Sequence, residues 1–171
     1  MKILVFSDSH NHPDLMEKAV RLNVGHGLDA VFFLGDGYSD FERVMAKHPG
    51  PKYYGVLGNC DSYRLLAGGS YEKTVEMGGH RFLLMHGHKH GVKGGIGGAV
   101  NYAVSKGADV LLFGHTHEAF DEPIDASADG SDGASVRAIN PGSVGAWFGA
   151  SFALLDLLPD GTIVCSFGGE S

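Results

Sequence analysis

The sequence predicts an α/β fold, in the form of an α+β sandwich: two facing mixed β-sheets flanked by helices. Two observations predict it. Five short apolar runs, at 3–6, 30–34, 53–57, 82–85 and 110–113, are rich in Val, Ile, Leu and Phe and show no alternation. That is the pattern of strands buried on both faces. Helical spacing separates the first three runs, whereas hairpin signals fill the second half of the chain.

After the first run, Pro13 suits the opening turn of a helix. Leu15, Met16, Ala19, Val20 and Leu22 share one face of it, and Gly25 and Gly27 end it. Phe41, Val44 and Met45 mark a shorter helix before Pro49. Residues 70–77, then Gly78-Gly79, then 80–85 read as a hairpin. Ile96, Ala99, Val100, Ala103 and Val104 follow helical spacing, with Gly107 as the stop. Strands over 118–125 and 134–140 are joined by the small, polar stretch 126–133, read as a mobile joint. It is acidic but lacks the residue order of an EF-hand. Strands over 151–158 and 162–167 flank the turn Pro159-Asp160-Gly161, so the tail reads as a β-rich meander.

The chain of 171 residues is expected to form a single domain over 1–171. Its net charge of −7 argues against a broad surface for duplex nucleic acid. Two cysteines, Cys60 and Cys165, do not make a disulfide framework. The first apolar run is too short for a signal-peptide core, and no run approaches a membrane span, so a cytoplasmic protein without membrane contact is expected.

Each apolar run stops directly at polar residues: Ser7-Asp8-Ser9-His10, Gly35-Asp36-Gly37, Gly58-Asn59-Cys60-Asp61, His86-Gly87-His88 and Gly114-His115-Thr116-His117. Each block alone is a common match, but the ordered set, each placed after a buried strand, is not. Ligand sites in layered α/β proteins gather at strand carboxyl ends, so a metal site is expected there. Asp8 and His10, and again His115 and His117, are two apart and would project to one side of an extended chain. Gly35, Gly58 and Gly114 permit sharp turns and close backbone approach. The donors are Asp8, His10, Asp36, Asn59, His86, His115 and His117. This mixed nitrogen and oxygen set suits Mn, Fe, Co, Ni or Zn better than Ca or a thiolate-rich structural zinc. Seven ligands exceed one tetrahedral site but fit two divalent ions if Asp36 bridges. Four cationic charges offset by Asp8 and Asp36 would trap a phosphate, and two ions roughly 3.5–4 Å apart clamp attacking and leaving oxygens.

These blocks resemble the pattern of the calcineurin-like metallophosphoesterase superfamily: D-x-H, G-D, G-N-[HC]-[DE], H and G-H-x-H, in that order. Size, the Gly-Asn-Cys-Asp form and Asn140-Pro141-Gly142-Ser143-Val144 resemble its small prokaryotic phosphodiesterase branch. The resemblance implies one metal on Asp8, His10, Asp36 and His117, and another on Asp36, Asn59, His86 and His115. It implies Mn as the commonest activating metal. The implied reaction is hydrolysis of a small phosphate ester, by in-line attack of a hydroxide bridging the two metals. Asp8, Asp36 and Asn59 then belong to the catalytic set. Many relatives carry His where this chain has Cys60, and a thiol is a poor general acid. Diesters, or esters with good leaving groups, are therefore expected. The superfamily also includes a eukaryotic retromer subunit that acts mainly through partners, and nucleases, so a scaffold and a nuclease are the alternative functions. A homodimer fits the branch.

Other residues carry double readings. His88 joins the catalytic candidates because, with His86, Lys89 and Lys93, it could line a phosphate pocket; a solvated His- and Gly-rich loop is its bland counterpart, and His90 shares both readings. His12 reads as a proton donor or as the cap of the helix at Pro13. His26, His48 and His80 read as surface turns. Cys60 is set aside as a ligand in favour of Asn59, and Asp61 reads as a support or turn residue.

Overall fold

The computed structural model describes residues 1–126 and 133–170. The joint expected at 126–133 falls, from 127 to 132, outside them. Ten strands form two five-stranded sheets. In the first, β1 (Lys2–Phe6), β2 (Leu28–Phe33) and β3 (Lys52–Gly55) are parallel; β9 (Ala150–Leu157) and β10 (Ile163–Glu170) add antiparallel beyond β1. In the second, β5 (His80–Met85), β6 (Val110–Leu112) and β8 (Ser135–Pro141) are parallel. There β4 (Glu72–Met77) and β7 (Ala119–Asp125) form the antiparallel edges. The predicted sandwich of two mixed sheets is therefore the observed fold.

The absence of alternation in the strands follows from their two buried faces. Ile3 and Val5 of β1 and Ala30 and Phe32 of β2 point between the sheets, against Phe82, Leu84, Val110, Leu112 and Ile139. Leu4, Phe6, Val31 and Phe33 point outward onto Leu15, Met16, Ala19 and Val20 of α1 (Asp14–Val24) and Phe41 and Val44 of α2 (Tyr38–Lys47). On the outer face of the second sheet, Leu83, Leu111 and Phe113 meet Ala99, Val100 and Ala103 of α3 (Gly97–Ser105). Truncating one of the fully buried rings, such as Phe32, would cost about 3–5 kcal/mol.

Two expectations are corrected. Leu22 is not on the buried face of α1; it stands 54% exposed, about 90° from the middle of the stripe at 100° per residue. The tail is not one meander. The β7–β8 hairpin belongs to the second sheet and the β9–β10 hairpin to the first, because β8 pairs with β6 and β9 with β1. The chain must therefore cross between sheets after Pro141, over the carboxyl end of β1. The stretch after Gly58 forms a 3-10 helix, Asn59–Ala67.

Candidate metal centre

The ligand-bearing loops follow β1, β2, β3, β5 and β6, and they meet across the two sheets. They are not extended. Asp8 (φ 57°), His10 (46°), Asp36 (58°), His115 (70°) and His117 (63°) lie in the left-handed region, and among the described residues Asn11 (69°) is the one further non-glycine there. The expectation that Asp8/His10 and His115/His117 project together from extended chain is thus corrected. Each left-handed residue costs roughly 1–2 kcal/mol and reverses the chain tightly. Asp8 N–H then donates to Gly35 O (2.9 Å), His10 N–H to Asp36 O (3.2 Å) and His115 N–H to Asp8 Oδ2 (3.0 Å). Five strained residues that coincide with five candidate ligands are the backbone signature of a functional site.

The side chains converge in two overlapping groups. The ligand atoms of Asp8, His10 and His117 all lie within 4.8 Å of one another, as do those of Asp36, His86 and His115. Asp36 also falls within that reach of His10 and Cys60, so its carboxylate lies between the two halves. Asn59 Oδ1 sits 3.2 Å from His86 Nε2, placing the amide at the second group. All seven candidate ligands are therefore brought together. Asp8, Asp36 and His86 are buried, whereas His10 and His117 lie at the open side.

This donor set fits a cation on its own chemistry. His86 Nδ1 lies 2.8 Å from Leu34 O, a pure acceptor, so Nδ1 carries the proton and Nε2 faces inward as a lone pair. Nε2 meets His115 Nδ1 (3.1 Å), Asn59 Oδ1 (3.2 Å) and Asp36 Oδ2 (3.5 Å). Likewise His10 Nε2 meets His117 Nε2 at 3.4 Å, and Asp8 Oδ1 lies 3.1 Å from the latter. Each of these contacts needs a proton on a ring nitrogen, or a metal ion among the lone pairs. The proton affinities express the same demand. Burial disfavours the charged form of His86, but Asp36 and Asp8 overcome it and raise its pKa above the ordinary imidazole value. The hydrogen bond to Asp8 raises that of His117. Burial opposes the charge of Asp36 too, yet His86 and the Cys60 N–H hold its carboxyl well below the usual range. Burial and the neighbouring His86 lower His115 and His88.

Supports fix these loops. Asp61, read from sequence as a support or turn residue, is buried and accepts four backbone N–H bonds: Oδ2 from Asp36 (2.7 Å) and Gly58 (2.9 Å), Oδ1 from Gly37 (3.1 Å) and Tyr38 (2.9 Å). It ties the second ligand loop to the third. Gly58 is required by proximity, since a Cβ there would lie 2.0 Å from Asp36 Oδ1; one at Gly114 would lie 1.9 Å from Ser7 Oγ. The segment 140–145 locks the first loop to the fifth. Asn140 Nδ2 donates to Gly114 O (3.1 Å) and Thr116 Oγ1 (2.9 Å), Ser143 Oγ to Asp8 O (2.8 Å), and Val144 N–H to Ser7 O (2.9 Å).

Sequence reasoning missed Asp40 and Ser7. Asp40 is buried beneath the first loop, accepting from Ser9 Oγ (2.6 Å) and Asn11 N–H (2.9 Å) and pairing with Arg43. The available signal was a carboxylate next to Phe41 on the apolar face of α2. Ser7 Oγ donates to Asp8 Oδ2 at 2.5 Å. The doubtful histidines now divide. His88 lies against the second group, its ring 5.4 Å from His86 and 6.2 Å from His115, with Nδ1 buried and without a partner. His90 packs on Tyr102 and faces Glu72, and Lys89 covers the Tyr71 ring. His12 caps nothing, since α1 has no side-chain cap; it lies edge-on to Trp147 instead. His80 is not a free surface turn: it is the first residue of β5, half-buried, and bonded to Asp109 (2.5 Å) and to Gly161 O (3.0 Å). Cys60 is exposed, and burial of its sulfur together with Asp36 pushes the thiol up to about 11.

Among the described residues no helix is long and apolar enough to cross a membrane. Residues 1–159 match the calcineurin-like phosphoesterase superfamily domain. The chain is 32% identical over 146 residues to the probable metallophosphoesterase YsnB of Bacillus subtilis, covering 84% of this chain and 75% of that protein. It is 28% identical over 154 residues to the phosphodiesterase MJ0936 of Methanocaldococcus jannaschii, covering 83% of each. Its fold is shared with the zinc complex of Vps29 from Entamoeba histolytica, at a TM-score of 0.70, 22% identity and 98% coverage of both chains. The domain match over nearly the whole chain, on a sandwich that gathers every block of the motif at one end, shows that the chain belongs to the calcineurin-like phosphoesterase superfamily.

Proposed function

We propose that the chain is a dinuclear metal-dependent phosphodiesterase acting on a small phosphate ester. The observation that carries this reading is the position of Asp36, within reach of both ligand groups. Asp8, His10, His117 and Asp36 would hold one divalent cation, and Asp36, Asn59, His86 and His115 the other. When bound, such a pair supplies a nucleophile at neutral pH and offsets charge on the phosphoryl oxygens; Mn is the expected activator, with Fe, Zn, Ni or Co as substitutes.

The protein's own groups do the rest. His86 is fixed by Leu34 O and presents Nε2 inward. Asp61 and Asn140 hold the ligand loops in register. His88, whose pKa burial lowers, lies against the second group and would hydrogen-bond a phosphate oxygen there. Cys60 stays protonated at neutral pH, and a thiol with so high a pKa gives little help to a poor leaving group. Diesters with acidic leaving groups are the substrates this site suits. The reading carries with it a single domain over 1–171, a small substrate in place of nucleic acid, and the cytoplasm as the compartment.

The test is to strip the protein of metal, restore Mn and assay bis-p-nitrophenyl phosphate. Turnover should return with metal and disappear in Asp36→Asn. Absence of metal-dependent hydrolysis across a panel of phosphate esters would defeat the proposal. A metal-free, inactive chain in a stable complex with another protein would favour a scaffold instead.

A further inference from the structure

A cavity of about 620 Å³ lies beside the last ligand loop, within the size range of small-molecule pockets. Its apolar walls are Ile96, Phe113 and Phe120; its polar wall is Lys93, Thr116 and Glu118. Thr116 stands between the ligands His115 and His117, and Glu118 follows directly, so the cavity adjoins the metal centre through the chain itself. Thr116 is held in place by the Asn140 amide.

Lys93 distinguishes this cavity. Its side chain, like those of Lys52 and Lys73, makes no hydrogen bond or ion pair among the described residues, and of these three Lys93 alone stands on the wall of the cavity. It lines the same cavity as Thr116, the residue between the ligands His115 and His117. An unpaired ammonium at the edge of an apolar pocket, close to where a phosphate would be held, complements a ligand with a flat apolar body and a second anionic end.

Resting on the phosphodiesterase reading, we propose that this cavity is a specificity subsite. It receives the ester arm that stays on the phosphate, and it selects arms with a ring system for Ile96, Phe113 and Phe120 and a second phosphate for Lys93. Glu118, the other charged wall residue, opposes the second anion and sets a limit on the preference.

Two substrates test this: the p-nitrophenyl ester of thymidine 5′-phosphate, and the same ester carrying an added 3′-phosphate. Both release p-nitrophenolate from the same phosphorus, so the ratio of their kcat/KM values cancels changes at the metals. The wild type should prefer the 3′-phosphorylated ester by about two- to fivefold, the worth of one partly exposed charge pair. Lys93→Gln should bring the ratio to 1 or below, Lys93→Glu lower still, and Glu118→Gln should raise it. A flat ratio in the wild type, or a ratio unmoved by Lys93→Gln, overturns the subsite while leaving the phosphodiesterase standing. Release from neither ester overturns the phosphodiesterase reading itself.

Discussion

Replacing Asp61 by Asn keeps the shape of the side chain and changes only what one of its two atoms offers. In the native protein both oxygens accept, two N–H groups each, from Asp36 and Gly58 and from Gly37 and Tyr38. An amide presents a donor to one of these pairs, so two buried N–H groups lose their acceptor and face an N–H instead. Hydrogen bonds to a charged group are worth about 1.5–3 kcal/mol each, which puts the loss at about 3–6 kcal/mol for two. At the ~2–4 °C per kcal/mol typical of a chain this size, the melting temperature should fall by about 6–24 °C. Among the candidate ligands Asp61 bonds only the backbone N–H of Asp36, so its effect on chemistry must pass through the Asp36 loop. Metal affinity measured calorimetrically should therefore drop by tenfold or more, about 1.4 kcal/mol, while saturating metal restores most of kcat. Asp61→Asn with wild-type melting and wild-type metal affinity would refute the idea that this carboxylate holds the second loop to the third.

Three further outcomes are expected. His86 and His117 keep their protons to a higher pH than a free imidazole, and a metal must displace those protons. Metal affinity should thus begin to fall, as the pH is lowered, at a higher pH than it would for free imidazoles, and continue falling below it; calorimetric titrations showing no change from pH 8 to 6 would contradict this. With its thiol pushed up to about 11, exposed Cys60 in the metal-free protein should react with iodoacetamide at pH 8 about a hundredfold more slowly than a free cysteine peptide, read by mass spectrometry. Gly58→Ala places a methyl 2.0 Å from Asp36 Oδ1 and 2.4 Å from its backbone nitrogen. It should cost about 1–3 kcal/mol in urea denaturation and weaken metal binding; a neutral substitution would mean that the third loop does not hold Asp36.

Much of this was legible in the sequence because the signals are local. Double-faced burial is written in runs such as Ile3-Leu4-Val5-Phe6, and the ligand blocks begin within three residues of the strand ends. What was not legible depends on contacts between distant segments. Nothing in Asp8-Ser9-His10 announces left-handed backbone, because the bonds that stabilise it come from Gly35, Asp36 and residues 143–145. Asp40 looks like an ordinary surface residue of a helix until the Ser9–Asn11 loop is seen lying on it. The division of the last four strands between two sheets is equally invisible locally, since both hairpins have the same pattern and only their partners, β6 and β1, tell them apart.

The central claim is that seven side chains from five loops hold a pair of divalent cations around Asp36. Anomalous diffraction from crystals of the Mn-loaded protein tests it most directly. Two peaks are predicted in each chain, one among Asp8, His10 and His117 and one among Asn59, His86 and His115, with the Asp36 carboxylate between them. A single peak, or Mn bound away from Asp36, would contradict the account.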